Sequence, residues 1–99
     1  HQVTAEVIDV ATIKPLDLEL ILQSVQKTGR VIIIHEAAKY CGVGAEIAAQ
    51  LAEFSLTSLL APIKRVTGFD TIVPPYKIES SYLPTVAKIL TAVEEVLNY

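Results

Sequence analysis

The sequence contains no methionine and a single cysteine, and its apolar residues never form a run long enough to cross a bilayer. The one cysteine, Cys41, excludes a disulfide within the chain and fits a reducing compartment. The start of the chain shows no basic segment ahead of an apolar stretch, so no signal peptide is visible. Because a translated reading frame starts with methionine, we expect the chain to be processed or to be a piece of a longer protein.

Positive charge is also scarce. Eight lysines and arginines stand against eleven acids, a net charge of −3, which argues against nucleic-acid binding. Apolar residues, by contrast, make up 52% of the 99 residues, and the mean hydropathy is positive. In a domain of this size such a surplus indicates deep burial or a large interface with a partner.

The stretch from Val31 to Ile47 gives the clearest structural prediction. Residues 31–34 are four β-branched apolar residues in a row, typical of a strand buried on both faces in a parallel sheet, which we extend to His35. After a polar loop, an apolar-periodic helix is predicted from Gly44 to about Phe54. A strand, a glycine turn and a helix in this order form half of a βαβ unit.

The rest of the chain predicts further elements of the same kind. These are a strand over 3–10, a helix between the N-cap Asp17 and the C-terminal Gly29, a strand over 62–67, a long loop over 68–81 and a helix after the N-cap Thr85. The alternation of strands and helices predicts an α/β fold with a small, mostly parallel sheet flanked by helices.

One group of polar residues follows the predicted strands. If the three strands are parallel, their carboxyl ends bring Asp9, His35, Glu36 and Asp70 toward one edge, where α/β proteins usually bind ligands. A histidine between carboxylates suits a general base or a metal site, which would make the chain a stand-alone flavodoxin-like ligand-binding or catalytic domain. The structural alternative is that the His35 ring bonds a backbone carbonyl while Asp9 and Asp70 cap turns.

The glycines before the second helix also allow two interpretations. Gly42-Val43-Gly44 at a helix start is compatible with a phosphate cradle. A third glycine is missing, however, and Glu46 in the first helical turn would repel a phosphate. A tight turn is the simpler interpretation.

Several segments together resemble one protein family. They are His35-Glu36-Ala37 followed by Gly42-x-Gly44-Ala45-Glu46-Ile47, Glu6-Val7-Ile8-Asp9-x-x-Thr12-Ile13-x-Pro15-x-Asp17, and Ala61-Pro62-x-x-Arg65-Val66-Thr67-Gly68-x-Asp70-Thr71. These segments are similar to the C-terminal domain, of transketolase type, of the β subunit of the decarboxylating component of pyruvate and branched-chain 2-oxo acid dehydrogenases. Ala11 departs from the family, which usually has arginine there. The resemblance implies one domain over residues 1–99 that lacks the family's opening strand and helix.

The resemblance also implies a parent oxidoreductase. That enzyme is a heterotetramer in a multienzyme complex, and it couples oxidative decarboxylation of a 2-oxo acid to acyl transfer onto lipoyl groups. Its thiamin diphosphate and magnesium lie between the α subunit and the N-terminal domain of the β subunit. Because this chain has nothing resembling the family's Gly-Asp-Gly…Asn motif, we expect no catalytic, cofactor-binding or metal-binding residue in it. The implied location is bacterial cytoplasm or mitochondrial matrix.

Partner binding is the role that the resemblance implies for this domain. Such domains contact the α subunit and a second β subunit, and in many members they dock the subunit-binding domain of the dihydrolipoyl acyltransferase. That docking domain is typically basic, so we expect an acidic target. The predicted partner-binding residues are Leu60, Lys64, Glu94, Glu95 and Tyr99 with its carboxylate. The alternative is that Glu94 and Glu95 merely form a solvated helix face. No nucleic-acid or membrane partner is expected.

Overall fold

A computed structural model describes residues 2–70 and 83–99. In this part of the chain, helices and strands alternate: α1 (Leu18–Thr28), β1 (Ile32–Ala38), α2 (Val43–Ser55), β2 (Lys64–Gly68) and α3 (Val86–Leu97). A 3-10 turn, Leu56–Ser58, follows α2. Among the described helices, none has the length and apolar character needed to cross a membrane. Most of the loop predicted at 68–81 lies outside the described residues.

The two strands pair in parallel. Their register sets Ile32, Ile33 and Ile34 of β1 opposite Lys64, Arg65 and Val66 of β2. Parallel neighbours need a crossover connection, and α2 supplies it. The predicted α/β fold with a small parallel sheet is therefore confirmed, although β1 continues three residues beyond the predicted end at His35.

Local capping signals define the helix ends. The Asp17 carboxylate accepts a hydrogen bond from the Leu20 N–H at 3.2 Å, which satisfies one of the free donors at the start of α1. Thr85 does the same for α3 through the backbone N–H three residues later, also at 3.2 Å. At the end of α1, Gly29 adopts a left-handed φ of 73°, and its N–H donates to the Val25 carbonyl at 2.8 Å. All three caps confirm the sequence predictions.

The main core lies between α1 and α2. Its buried members are Ile21, Val25, Ile47 and Leu51, and Leu51 has no exposed surface at all. Ile33 of β1 packs against this cluster, so one face of the sheet is covered by the α1–α2 pair.

The other face of the sheet is covered by α3. This helix packs against both strands and buries Ala92 and Val96. Because side chains alternate along a strand, Val66, which pairs with Ile34, points away from the face that carries Ile33. Val66 is buried, whereas Ile34 keeps 49% of its surface exposed. On this face, α3 therefore covers β2 more completely than it covers β1.

The strand predicted over residues 3–10 is wrong. Residues 2–12 have no strand, and Val3 and Val7, which would share one face of such a strand, expose 46% and 92% of their surfaces. A strand is stabilised by pairing with a neighbour. In the described part of the chain, no strand pairs with this segment, and the nearest bridge is an isolated one between Ile13 and Leu16.

The segment 2–12 is instead attached to α1. The Glu6 carboxylate accepts a hydrogen bond from the Ser24 hydroxyl at 2.6 Å and forms an ion pair with the Lys27 ammonium. Lys27 first, and then Ser24, hold the pKa of Glu6 below its ordinary value. Ile8 is partly buried against the main core. Because the ion pair is solvent-exposed, it orients the segment and adds little stability.

The role of Leu51 can be tested by truncation. We expect Leu51→Ala to lower the free energy of unfolding by about 2–5 kcal/mol, because it leaves a cavity at a fully buried site. Leu56→Ala is the matched control, since Leu56 is 64% exposed and should change stability by less than about 0.5 kcal/mol. Urea unfolding followed by circular dichroism measures both, and equal losses would contradict the core assignment.

Candidate interaction surface

Two chain connections meet where the parallel strands begin. The Lys64 N–H donates to the Val31 carbonyl at 3.1 Å, and the Leu60 N–H donates to the Gly29 carbonyl at 2.8 Å. These backbone bonds fix the connection 59–63, which leads into β2, beside the turn that leads from α1 into β1. Both strands therefore start from one anchored edge.

The last turn of α3 is held at the same edge. Arg30 Nε donates to the Val96 carbonyl at 2.9 Å, and Lys64 Nζ lies 2.8 Å from the Glu95 carboxylate. Cations are favourable at the carboxyl end of a helix, where carbonyls lack partners within the helix. We call Arg30, Leu60, Lys64 and residues 94–99 the amino-end surface.

The structure brings the predicted partner-binding residues together in part. Lys64 and Glu95 are in contact, and Leu60 reaches the same edge with 58% of its surface exposed. The Glu94 carbonyl accepts the Asn98 N–H at 3.0 Å, which ends the helix. Tyr99 follows that end and is 79% exposed. Whether these residues bind a partner stays a prediction.

The ion pair makes this edge less acidic than the sequence suggested. Lys64 sits directly against Glu95, and their side chains are 41% and 49% exposed, so both still reach solvent. Arg30 brings a second positive charge that the sequence analysis missed. Its position after Gly29 was visible, but its partner lies 66 residues away. The amino-end surface is thus of mixed charge around an exposed leucine.

The alternative site at Asp9, His35 and Asp70 loses its basis. Asp9 lies in the segment 2–12 and so does not end a strand. His35 Nδ1 donates to the Ala37 carbonyl at 3.1 Å, and Asp70 Oδ1 accepts the Tyr40 N–H at 2.7 Å. The structural interpretation is therefore confirmed for the His35 ring, whereas Asp70 bonds to a turn 30 residues away and not to its own. Within residues 2–70 and 83–99, no three His, Cys, Asp or Glu side chains are grouped to hold a metal ion.

The glycines at 42 and 44 make room for His35. A Cβ atom on Gly44 would lie 2.5 Å from His35 Nε2 and 2.9 Å from its Cδ2, and one on Gly42 would collide with the Ala38 carbonyl oxygen. His35 Nε2 is buried here and has no hydrogen-bond partner in the described structure. The space above these glycines is thus filled by the end of β1, which supports the tight-turn interpretation over a phosphate cradle.

A double-mutant cycle tests this packing. Alanine is normally about 0.5–1 kcal/mol better than glycine inside a helix. We expect Gly44→Ala to destabilise the chain instead, because the new methyl group meets the His35 ring. In the His35→Ala background the same substitution should cost much less, giving an interaction energy of about 0.5–3 kcal/mol from urea unfolding. Additive effects would mean that the ring does not limit the space at Gly44.

Comparison with known proteins matches the sequence of this chain to a family. Residues 1–89 match the family described as "Transketolase, C-terminal domain". The chain belongs to this family. It is 47% identical over 94 residues to the pyruvate dehydrogenase E1 component subunit beta of Leifsonia xyli subsp. xyli. It is 42% identical over 96 residues to the subunits of the same name from Staphylococcus epidermidis and Staphylococcus aureus.

These matches cover 95% and 97% of the chain but only 28% and 30% of the relatives. The chain thus spans about three tenths of the length of the curated relatives that it matches. The thiamin diphosphate and magnesium implied by the resemblance do not fit the residues present, because the described part has no metal-holding group and the sequence has no Gly-Asp-Gly. That this segment binds no cofactor remains a prediction.

Proposed function

We propose that this chain is the assembly and interaction domain of the β subunit of a thiamin-diphosphate-dependent 2-oxo acid dehydrogenase. In the parent enzyme the reaction is oxidative decarboxylation of a 2-oxo acid with acyl transfer to lipoyl groups. The observation that carries the proposal is the 47% and 42% identity to pyruvate dehydrogenase E1 beta subunits over nearly the whole chain. The chemistry is assigned to other parts of the parent, and this domain holds subunits together.

Exposed apolar side chains support the assembly role. Large apolar residues lie at the surface ahead of α1, on α2 and in the turn after it: Val7, Ile13, Phe54 and Leu56 are 92%, 57%, 56% and 64% exposed. Surfaces of this kind are typical of protein–protein contacts. We assign them to contacts with the α subunit and with a second β subunit.

The amino-end surface supports the docking role. Arg30 and Lys64 hold the last turn of α3 in place, so a partner meets a preorganised edge. Leu60 offers an exposed apolar anchor beside a mixed set of charges. Charges around such an anchor speed encounter with a complementary partner and set its register. The partner that we propose is the subunit-binding domain of the dihydrolipoyl acyltransferase.

Self-association of the isolated chain tests the assembly role. Its exposed apolar surface should drive dimers or larger species at tens of micromolar, a range corresponding to about −6 kcal/mol of binding free energy. Sedimentation velocity measures this. We expect the double variant Val7→Ser, Ile13→Ser to shift the chain toward monomer, whereas Glu53→Lys on α2 should not. If the unmutated 99-residue chain is strictly monomeric at this concentration, the result argues against an assembly domain.

Charge reversal tests the docking role in the assembled enzyme. Glu95→Lys places a lysine beside Lys64, so binding of a basic acyltransferase domain should weaken by about tenfold or more at low salt and by less at high salt. Decarboxylation of free substrate should stay unchanged. Removal of Tyr99 should also weaken docking.

The same charge change at Glu53, on the exposed side of α2, is the matched control and should leave docking unchanged. Surface plasmon resonance with the immobilised acyltransferase domain gives the affinities. If the Glu95→Lys variant and the Tyr99 deletion both bind the acyltransferase domain as tightly as the unmutated enzyme does at every salt concentration, the docking surface lies elsewhere.

A further inference from the structure

A concave feature lies at the opposite edge of the sheet, where both strands end. It is an open pocket of about 310 Å³, lined by β2 from Arg65 onward and by Lys39, Asp70 and Lys88. α/β proteins bind small ligands at the carboxyl ends of parallel strands. The volume is at the lower end of the range for small-molecule sites. The pocket is separate from the amino-end surface, so an occupant here would be independent of the proposed docking role.

Positive charge is concentrated around this pocket. Among the residues that the structure describes, three cations line it, Lys39, Arg65 and Lys88, and one acid, Asp70. Asp70 is also engaged, because one of its oxygens accepts the Tyr40 N–H at 2.7 Å. In a chain with a net charge of −3, this local excess favours an anionic ligand.

Arg65 is positioned to contact such an anion. One terminal guanidinium nitrogen donates to the Lys39 carbonyl at 2.9 Å, which fixes the plane of the group. A guanidinium carries five N–H donors, so this bond leaves a fork of donors on an oriented, half-buried side chain. Neither Arg65 nor the Lys39 ammonium forms an ion pair in the described part of the chain.

Lys88 adds charge from the other side of the pocket. It belongs to the first turn of α3, and its ammonium donates to the Leu83 carbonyl at 3.3 Å. The same ammonium lies 5.1 Å from the centroid of the Phe69 ring, within the range of a cation–π contact. These contacts hold the ammonium at the pocket wall.

We propose that this pocket binds a small phosphorylated metabolite, whose phosphoryl group contacts the Arg65 guanidinium and the Lys39 ammonium. A phosphoryl group carries up to two negative charges and three acceptor oxygens, which suits cations that approach from separate directions. Asp9 and His35 take no part, so binding here does not revive the alternative site. The contact needs no magnesium.

Phosphorus NMR of inorganic phosphate tests the proposal with the 99-residue chain. The line width of the phosphate signal should increase and then level off as the chain is added. Ionic strength is held constant, and the pH is one at which phosphate is a dianion. We expect Lys39→Gln and Arg65→Gln each to weaken binding by about tenfold, because each removes one charged contact. Lys14→Gln is the matched control, since it removes an exposed lysine that does not line the pocket and should leave the affinity unchanged.

Lys39→Gln leaves the backbone carbonyl that accepts the hydrogen bond from Arg65 in place. This variant therefore tests the proposal even if Arg65→Gln does not fold. Acetate, followed by carbon NMR under the same conditions, should bind more weakly than phosphate. The proposal is overturned if broadening does not saturate, if Lys14→Gln weakens binding as much as Lys39→Gln, or if acetate binds as tightly as phosphate.

Discussion

Parallel pairing of β1 with β2 is the contact on which the rest of this structure depends. A parallel sheet is stable only when both faces are covered. The α1–α2 pair covers one face around the fully buried Leu51, and α3 covers the other around Val96. Because the two strands are parallel, the connections that lead into them lie at one end of the sheet, and the connections that follow them lie at the other end. The amino-end surface therefore lies where the strands begin, and the pocket extends from Arg65 to the end where β2 leaves the sheet.

Much of this fold could be predicted because its signals are local. Asp17, Gly29 and Thr85 each act on backbone groups within four residues, so the sequence alone contains both partners of the contact. The β-branched run at 31–34 predicts a buried strand by composition alone. The segment 2–12 has an equally good strand pattern, but pairing requires a neighbour, and no local signal tells whether one is present.

The candidate sites were harder to predict because their contacts join distant parts of the chain. The Lys64–Glu95 and Arg30–Val96 contacts bridge β2 and the α1–β1 turn to the end of α3. Resemblance to relatives pointed to Lys64 and Glu95 but gave neither their pairing nor the involvement of Arg30. Likewise, the 42–44 glycines suggested a turn, whereas the ring that makes them necessary comes from the preceding strand.

The register of the sheet has one irregularity with a wider consequence. Between Ile34 and Ala38, β1 advances four residues while β2 advances only two, from Val66 to Gly68. Both steps are even numbers of residues, so Ala38 and Gly68 are on the same face of the sheet as Ile34 and Val66. The extra length carries the chain over the end of β2, where the Lys39 carbonyl reaches Arg65. An insertion of one residue between Ile34 and Ala38 would turn Ala38 to the opposite face of the sheet from its partner Gly68, so an insertion of two residues disturbs this pairing less.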